Sequence, residues 1–203
     1  MFQELAPPLI LASASPARRK ALEAAGLTFA IRPAGVDEAE IKRGARVEGA
    51  SADDAATLLA ALKAERVAAR EPNAIVIGAD QILVCDGAWF DKPEHVGAAR
   101  EQLRALRGKS HVLSTAVLCQ RGGQRLWQHV ARPRLTMRKF SDAFLDAYLA
   151  AEGTAVTSSV GAYRLEGLGV HLFDRIEGEH TAILGLPMLP LLGFLRQHGA
   201  LLG

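Results

Sequence analysis

The sequence predicts an α/β protein with a mixed β-sheet flanked by helices, on three observations. Short apolar runs of strand length alternate with longer segments of helical periodicity from one end of the chain to the other. Gly, Pro and Asp-Gly punctuate the junctions, as at Gly26, Asp86-Gly87 and Pro187. No repeat, low-complexity tract or clear linker breaks the order, so residues 1–203 read as a single domain, with room for two closely joined lobes.

The elements follow in sequence. Leu9 to Ala12 is a short apolar strand, and Ser-Ala-Ser-Pro then opens a helix that Gly26 stops. Thr28 to Val36 reads as a second strand ending near Val36, with acidic residues just beyond it. Residues 51–70 form the clearest amphipathic helix, capped by Asp53 or Asp54. From Ala74 to Phe90 the pattern is a strand to Ile77, a turn at Gly78-Ala79, the run Ile82 to Cys85, and a hairpin through Asp86-Gly87. A helix over 94–107, two strands in 110–120 and 124–140, a helix after Ser141 and a Pro-started C-terminal helix complete the set.

Composition excludes several classes. With 49% hydrophobic but only 5% aromatic residues, the core is built mainly from Ala, Leu and Val. A formal charge of +2, from 24 Lys and Arg against 22 Asp and Glu, gives no global field for stable nucleic-acid binding, so an anion site must be local. Cys85 and Cys119 stand in apolar runs without a CxxC or a nearby His pair, as core thiols of a reducing compartment do. No Lys or Arg precedes the first apolar run, which is unlike a secretory signal. The most apolar stretch, Ala182 to Leu195, is broken by Gly185, Pro187, Pro190 and Gly193 and is too short to span a bilayer. A soluble protein is expected.

Three groups of residues carry chemistry. Ser13, Ser15, Arg18 and Arg19 gather hydroxyls and guanidinium groups at a strand-to-helix turn, where the free N–H groups and the dipole favour a phosphate. The same pattern also describes a Ser cap with solvated arginines, and no P-loop or GxGxxG is present. The second group is acidic: Asp37, Glu38 and Asp80 follow strands, and such hard oxygen donors suit Mg²⁺ or Mn²⁺ with substrate phosphates completing the shell. Asp37, Glu40 and the charges at 42 to 48 are expected on the surface. The third group is cationic: Lys63 on the buried side of its helix, Lys92 before Pro93, and Arg138. A triphosphate carries about four negative charges, so one metal still leaves a need for several such donors.

The ordered blocks SASPARR, VDE, LAALKA, GADQ, DKP, HVLST, GAYRLEGLG and GLPM resemble those of the Maf family of nucleotide pyrophosphatases, from Leu9 to about Met188. The resemblance implies an elongated, two-lobed fold with a central cleft, related in shape to inosine triphosphate pyrophosphatases. It implies a cytoplasmic enzyme of nucleotide housecleaning that uses a divalent cation (Mg²⁺, Mn²⁺ or Co²⁺) to cut a nucleoside triphosphate to monophosphate and diphosphate. Residue by residue, Ser13, Ser15 and Arg18 resemble the phosphate-binding turn, Lys63 and Lys92 the phosphate clamps, and Glu38 a metal ligand. Asp80 resembles the acid-base that activates water, and a second metal ligand. A homodimer is left open, and no membrane partner is implied.

Three positions resemble the part of the family that sets substrate. Ala17, Gln81 and Glu166 stand where many relatives have Arg, Thr and Gln, and Gln with Glu resembles the branch acting on 7-methyl-GTP. A carboxylate can accept both N1–H and N2–H of a guanine edge, and methylation at N7 strengthens that fork. Against this, Ala17 replaces a Trp frequent in that branch, and Ser158 and Ser159 replace an Asp-Lys pair before the GAY block. A pyrimidine-directed (dTTP and UTP) or broad pyrophosphatase is the alternative, and a non-catalytic nucleotide-binding regulator of septum formation is an alternative of another class.

Overall fold

The computed structural model describes residues 3, 4 and 7–202. Strands β1 (Leu9–Leu11), β2 (Ala30–Ile31) and β3 (Ile75–Cys85) pair in parallel, Ile10 standing opposite both Ala30 and Val76. Parallel neighbours require crossovers, which here are helical. Helix α1 (Pro16–Ala24) joins β1 to β2, and α2 (Glu38–Val47) with α3 (Ala52–Ala68) joins β2 to β3. Asp86 and Gly87, at φ 49° and 79°, then turn the chain into β4 (Ala88–Phe90), the left-handed pair that a two-residue hairpin needs.

Helix α4 (Val96–Leu106) leads to the long β5 (Ser110–Arg121), which pairs antiparallel with β6 (Gln124–Ala131) and β7 (Arg134–Met137). Helix α5 (Asp142–Glu152) starts on Ser141, as expected, and short 3-10 turns lead to β8 (Phe173–Glu177), α6 (His180–Ile183) and α7 (Met188–Gln197). The sheet order is β2-β1-β3-β5-β7-β8, with β4 added to β3 and β6 to β5. This is the mixed, helix-flanked sheet that the alternating pattern predicts.

The chain divides into two compact units. The first contains the chain up to Gln81, Thr115–Ala131 and the stretch from Glu179 onward. Its core joins Leu9, Leu11 and Ile77 of the parallel strands to Leu22 of α1 and to Leu191 and Phe194 of α7. The second contains Ile82–Ser114 and Arg132–Gly178. There His111, Tyr163 and Phe173 form a ring cluster, while Arg100 and Arg104 of α4 and Arg107 just after it pair with Asp142 and Asp146 of α5.

Four expectations are corrected. Gly78-Ala79 is no turn: β3 runs unbroken through it, and Asp80 is a strand residue. The reason is packing, since a Cβ at Gly78 would lie 2.1 Å from the Ala60 carbonyl oxygen of α3. Strand β2 stops at Ile31, ahead of Pro33, and not near Val36. Helix α3 is capped by Ser51 and not by Asp53 or Asp54: the Ser51 hydroxyl accepts from the Asp54 N–H at 3.1 Å and donates to its carboxylate at 2.6 Å. Residues 124–140 hold two strands, separated at Arg132 and Pro133. Cys85 and Cys119 are free and buried. Among the described residues no helix is long and apolar enough to cross a membrane.

Candidate functional site

Strand β1 ends at Leu11, and the Ala12 N–H makes a last bond to the Ile77 carbonyl at 2.9 Å before the chain leaves the sheet. Strand β3 continues past that point, so Ser13 and Asp80 both belong to the carboxyl ends of the parallel pair, where α/β proteins collect ligands. Pro16 at the first helical position and Ser15 as cap start α1, the Ser15 hydroxyl accepting from the Arg18 N–H at 3.4 Å.

The Arg18 guanidinium turns inward. It is 9% exposed, donates through Nε to the Gly185 carbonyl at 2.9 Å and through Nη1 to the Ser13 hydroxyl at 3.1 Å. Gly185, at φ 100°, has no Cβ to press on Arg18 Nε, which would lie 3.2 Å from one. Burial pulls the Arg18 pKa down, against the opposing pull of Asp80 and Glu38. Arg19 and Lys20 face outward, Arg19 pairing with Glu23, and Ala17 is half-buried in the first helical turn.

Asp37 caps α2 by accepting from the Glu40 N–H at 3.1 Å, which sets Glu38 at the first helical position. The Glu38 carboxylate lies 2.5 Å from Lys63 Nζ, and the same ammonium lies 2.6 Å from Asp80 Oδ1. Lys63 reaches both because Gly78, two residues before Asp80 on the same face of β3, lets α3 close onto the strand. Asp80 is 3% exposed, and its second oxygen, Oδ2, is buried without a hydrogen-bond partner. Burial acts to raise the Glu38 pKa, but Lys63, with Lys42 and Arg18 behind it, holds it below the ordinary carboxylate value.

Lys42 was expected in solvent and is buried instead. It follows Glu38 by four residues on the same face of α2, with Ala45 the next inward position. Gln81 faces the other side of β3 and donates through Nε2 to Thr115 Oγ1 (2.7 Å) and to the carbonyls of Ala182 (3.0 Å) and Ile183 (3.1 Å). Three acceptors fix the amide orientation, so what Gln81 can still offer a ligand is its carbonyl oxygen.

The first unit therefore gathers Ser13, Ser15, Arg18, Glu38, Lys63, Asp80 and Gln81. Lys92 and Glu166 are carried by the second. Lys92 is exposed between β4 and α4, and Glu166 pairs with Arg164 at 3.5 Å. Arg138, also in the second unit, donates through Nε to the His171 carbonyl at 2.6 Å and lies over the Phe144 ring. Ser158 and Ser159 bond the carbonyls of Ala155 and Tyr163. His111, from the HVLST block, is buried against the Tyr163 hydroxyl at 2.8 Å, and burial depresses its pKa to about 4.

A divalent cation is compatible with this donor set. No group of three or more His, Cys, Asp or Glu among the described residues could hold a metal, but Glu38 and Asp80 supply two carboxylates. Mg²⁺ characteristically takes one or two carboxylates and leaves its other positions to water and phosphate. The unpartnered Asp80 Oδ2 is the kind of hard acceptor such an ion satisfies. A separate cavity of about 350 Å³ opens on Pro8, Leu9, Phe29 and Ala74, at the amino ends of the same strands. It shares no wall with the carboxylate cluster.

Sequence reasoning missed Lys42, the Gly185 carbonyl and the carbonyls of Ala182 and Ile183. Only the first left a trace, the four-residue spacing from Glu38.

Comparison with known sequences agrees with the blocks. The family described as Maf-like protein matches residues 8–198. A protein of Granulibacter bethesdensis named nucleoside triphosphate pyrophosphatase is 59% identical, covering 95% of this chain and 98% of its own. One of the same name from Rhodospirillum rubrum is 53% identical over 98% of both chains. A protein of Rhizobium etli named 7-methyl-GTP pyrophosphatase is 47% identical over 98% of this chain and all of its own.

Proposed function

The chain belongs to the Maf family, and from that premise we propose that it is a hydrolase cutting nucleoside triphosphates to the monophosphate and pyrophosphate. The observation that carries the reading is Asp80. A structural ion pair would satisfy both carboxylate oxygens, and a surface acid would be hydrated; this one is buried with one oxygen on Lys63 and the other bare.

Glu38 and Asp80 would hold Mg²⁺, Mn²⁺ or Co²⁺, which when bound neutralises charge on the phosphate oxygens. Ser13, Ser15, Arg18 and Lys63 bind and orient the triphosphate. Asp80 takes the proton of a water attacking the α-phosphorus, the bond to the bridging oxygen breaks, and pyrophosphate leaves. The buried surroundings of Asp80 exclude other water and strengthen each charge contact. The reaction serves to clear unwanted nucleotides in the cytoplasm.

Within that class we assign 7-methyl-GTP or a related modified purine as the preferred substrate. Glu166 is a carboxylate that can accept from both N1–H and N2–H of a guanine edge, and relatives such as that of Rhizobium etli bear that name. A broad or pyrimidine-directed activity is the second reading, favoured by the Glu166–Arg164 pair, which occupies the carboxylate. Pyrophosphate release from 7-methyl-GTP, GTP, dTTP and UTP, with and without each cation, tests both levels. Metal-dependent release led by 7-methyl-GTP is expected, with a Glu166→Gln variant losing roughly 10-fold to 200-fold of the preference over UTP. Equal rates on all four would leave the broad reading, and no release from any would sink the hydrolase.

A further inference from the structure

We infer that Glu179 and Thr181 are positioning residues of the site in the first unit: they close the turn between α6 and α7, whose Gly185 carbonyl aims the Arg18 guanidinium at the triphosphate. The inference rests on the pyrophosphatase reading and deepens it by naming what holds the phosphate-binding arginine. All four residues belong to the first unit.

Helix α7 starts at Met188, after a Pro187 that has no side-chain acceptor to cap it. The acceptors come from across the turn instead. Thr181 Oγ1 accepts from the Met188 N–H at 3.2 Å, and Glu179 Oε1 accepts from the Leu189 N–H at 3.0 Å and from the Thr181 hydroxyl at 2.5 Å. The hydroxyl thus works both ways, donating to Glu179 and accepting from α7. Between these ties the Gly185 N–H reaches the Ala182 carbonyl at 3.1 Å and the Leu186 N–H the Thr181 carbonyl at 2.9 Å. Gly185 takes φ 100°, which a residue with a Cβ rarely adopts, so the turn has little latitude.

The carbonyls of this turn hold site side chains. Gly185 receives Arg18 Nε at 2.9 Å, and Ala182 and Ile183 receive Gln81. Arg18 spends one N–H on Gly185 and one on Ser13, so three of its five remain for phosphate oxygens. A carboxylate in place of the Gly185 carbonyl would neutralise the guanidinium. A neutral dipole aims it and leaves its charge to the ligand. With the side chain fixed in advance, binding does not have to order it. A turn free to drift would carry the guanidinium with it, and a misplacement of about 1 Å can cost roughly 10²-fold in rate.

The test follows pyrophosphate release from the wild type's best triphosphate and, in the same full-length proteins, hydrogen exchange of the Arg18 Nε–H by NMR, a signal identified by its loss from Arg18→Lys. Thr181→Val keeps the shape and removes the hydroxyl. It should lower kcat/KM by roughly 10-fold to 10²-fold and speed exchange of the Arg18 Nε–H, and Thr181→Ser should restore both. Ser141→Ala, which removes the cap of α5 in the second unit, should lower the melting temperature as the loss of a cap does and move neither readout. Thermal melting checks folding, and Glu179→Gln replaces Thr181→Val if the latter does not fold. In an Arg18→Lys background the kinetic loss from Thr181→Val should disappear, because a lysine has no fork to aim. A loss that persists there in full means that Thr181 acts by another route and overturns the inference. Wild-type kinetics and exchange in Thr181→Val would also overturn it, with the hydrolase reading intact. A wild type that releases no pyrophosphate from any triphosphate would instead remove the reading beneath it.

Discussion

At the scale of single residues, the site is organised by what each buried charge lacks. Lys63 Nζ has three N–H donors and spends two on Glu38 and Asp80. Asp80 has two oxygens and spends one on Lys63, leaving Oδ2 buried without a partner, and that carboxylate is the base of the proposed mechanism. Asp80→Asn keeps the shape and removes the base, and kcat should fall by at least about 10²-fold. Affinity for an α,β-methylene triphosphate, which resists cleavage at the scissile position, should fall far less, because the phosphate donors stay in place. A variant turning over at near the wild-type rate would take Asp80 out of the chemistry and leave Glu38 as the remaining candidate base.

At the scale of elements, the decisive contact is helix α3 on strand β3. Gly78→Ala would put a methyl carbon 2.1 Å from the Ala60 carbonyl oxygen and 2.9 Å from the Ala64 methyl, backbone and short side chain with nowhere to turn. The helix must lift, at a cost of about 1–3 kcal/mol, and the 2.6 Å Lys63–Asp80 bond is drawn apart with it. Urea unfolding should show the loss of stability, and pyrophosphate release should drop with it. Gly193, inside α7 with nothing within 4 Å of its missing Cβ, is the contrast: Gly193→Ala should be neutral or stabilise by about 0.4–1 kcal/mol. The same contact explains what the sequence could not say about Gly78. A glycine and an acid inside an apolar run have the local pattern of a turn, and only the partner helix, 18 residues earlier at Ala60, makes them a strand. Elements whose signals are local were legible: the Ser15-Pro16 start of α1, Gly26 at its end, the Asp86-Gly87 hairpin and the Ser141 cap. The cluster of Arg18, Glu38, Lys63 and Asp80 was legible as residues but not as a geometry. Lys42 was lost because a charge among charges reads as surface until the packing of α2 is known.

At the scale of the whole molecule, stability should depend on pH through a group outside the site. His111 lies in the second unit between Tyr163 and Phe173, 1% exposed, with Nδ1 buried and unpartnered. Protonation would add both a charge and an unsatisfied N–H to that core, so burial depresses its pKa from 6.5 to about 4. Because the folded value lies below the unfolded one, the unfolded chain binds the extra proton between them, and stability rises with pH across that window. The contribution is complete above pH 6.5 and is lost as pH falls toward 4, amounting to roughly 3 kcal/mol over the full interval. Glu38, held below its ordinary value, adds loss of the same sign only at more acid pH, so the span from 6.5 to 5 isolates the histidine. The two tryptophans divide between the units, Trp127 in the first and Trp89 in the second. A Trp127→Phe protein thus reports the second unit alone, which matters because two units need not unfold as one step. Urea midpoints followed by Trp89 fluorescence should decline from pH 6.5 to 5, and His111→Gln, which cannot titrate, should flatten that slope while lowering stability at neutral pH. A slope unchanged by the substitution would mean that the acid sensitivity arises elsewhere, and that His111 is already neutral to the same degree in the unfolded chain.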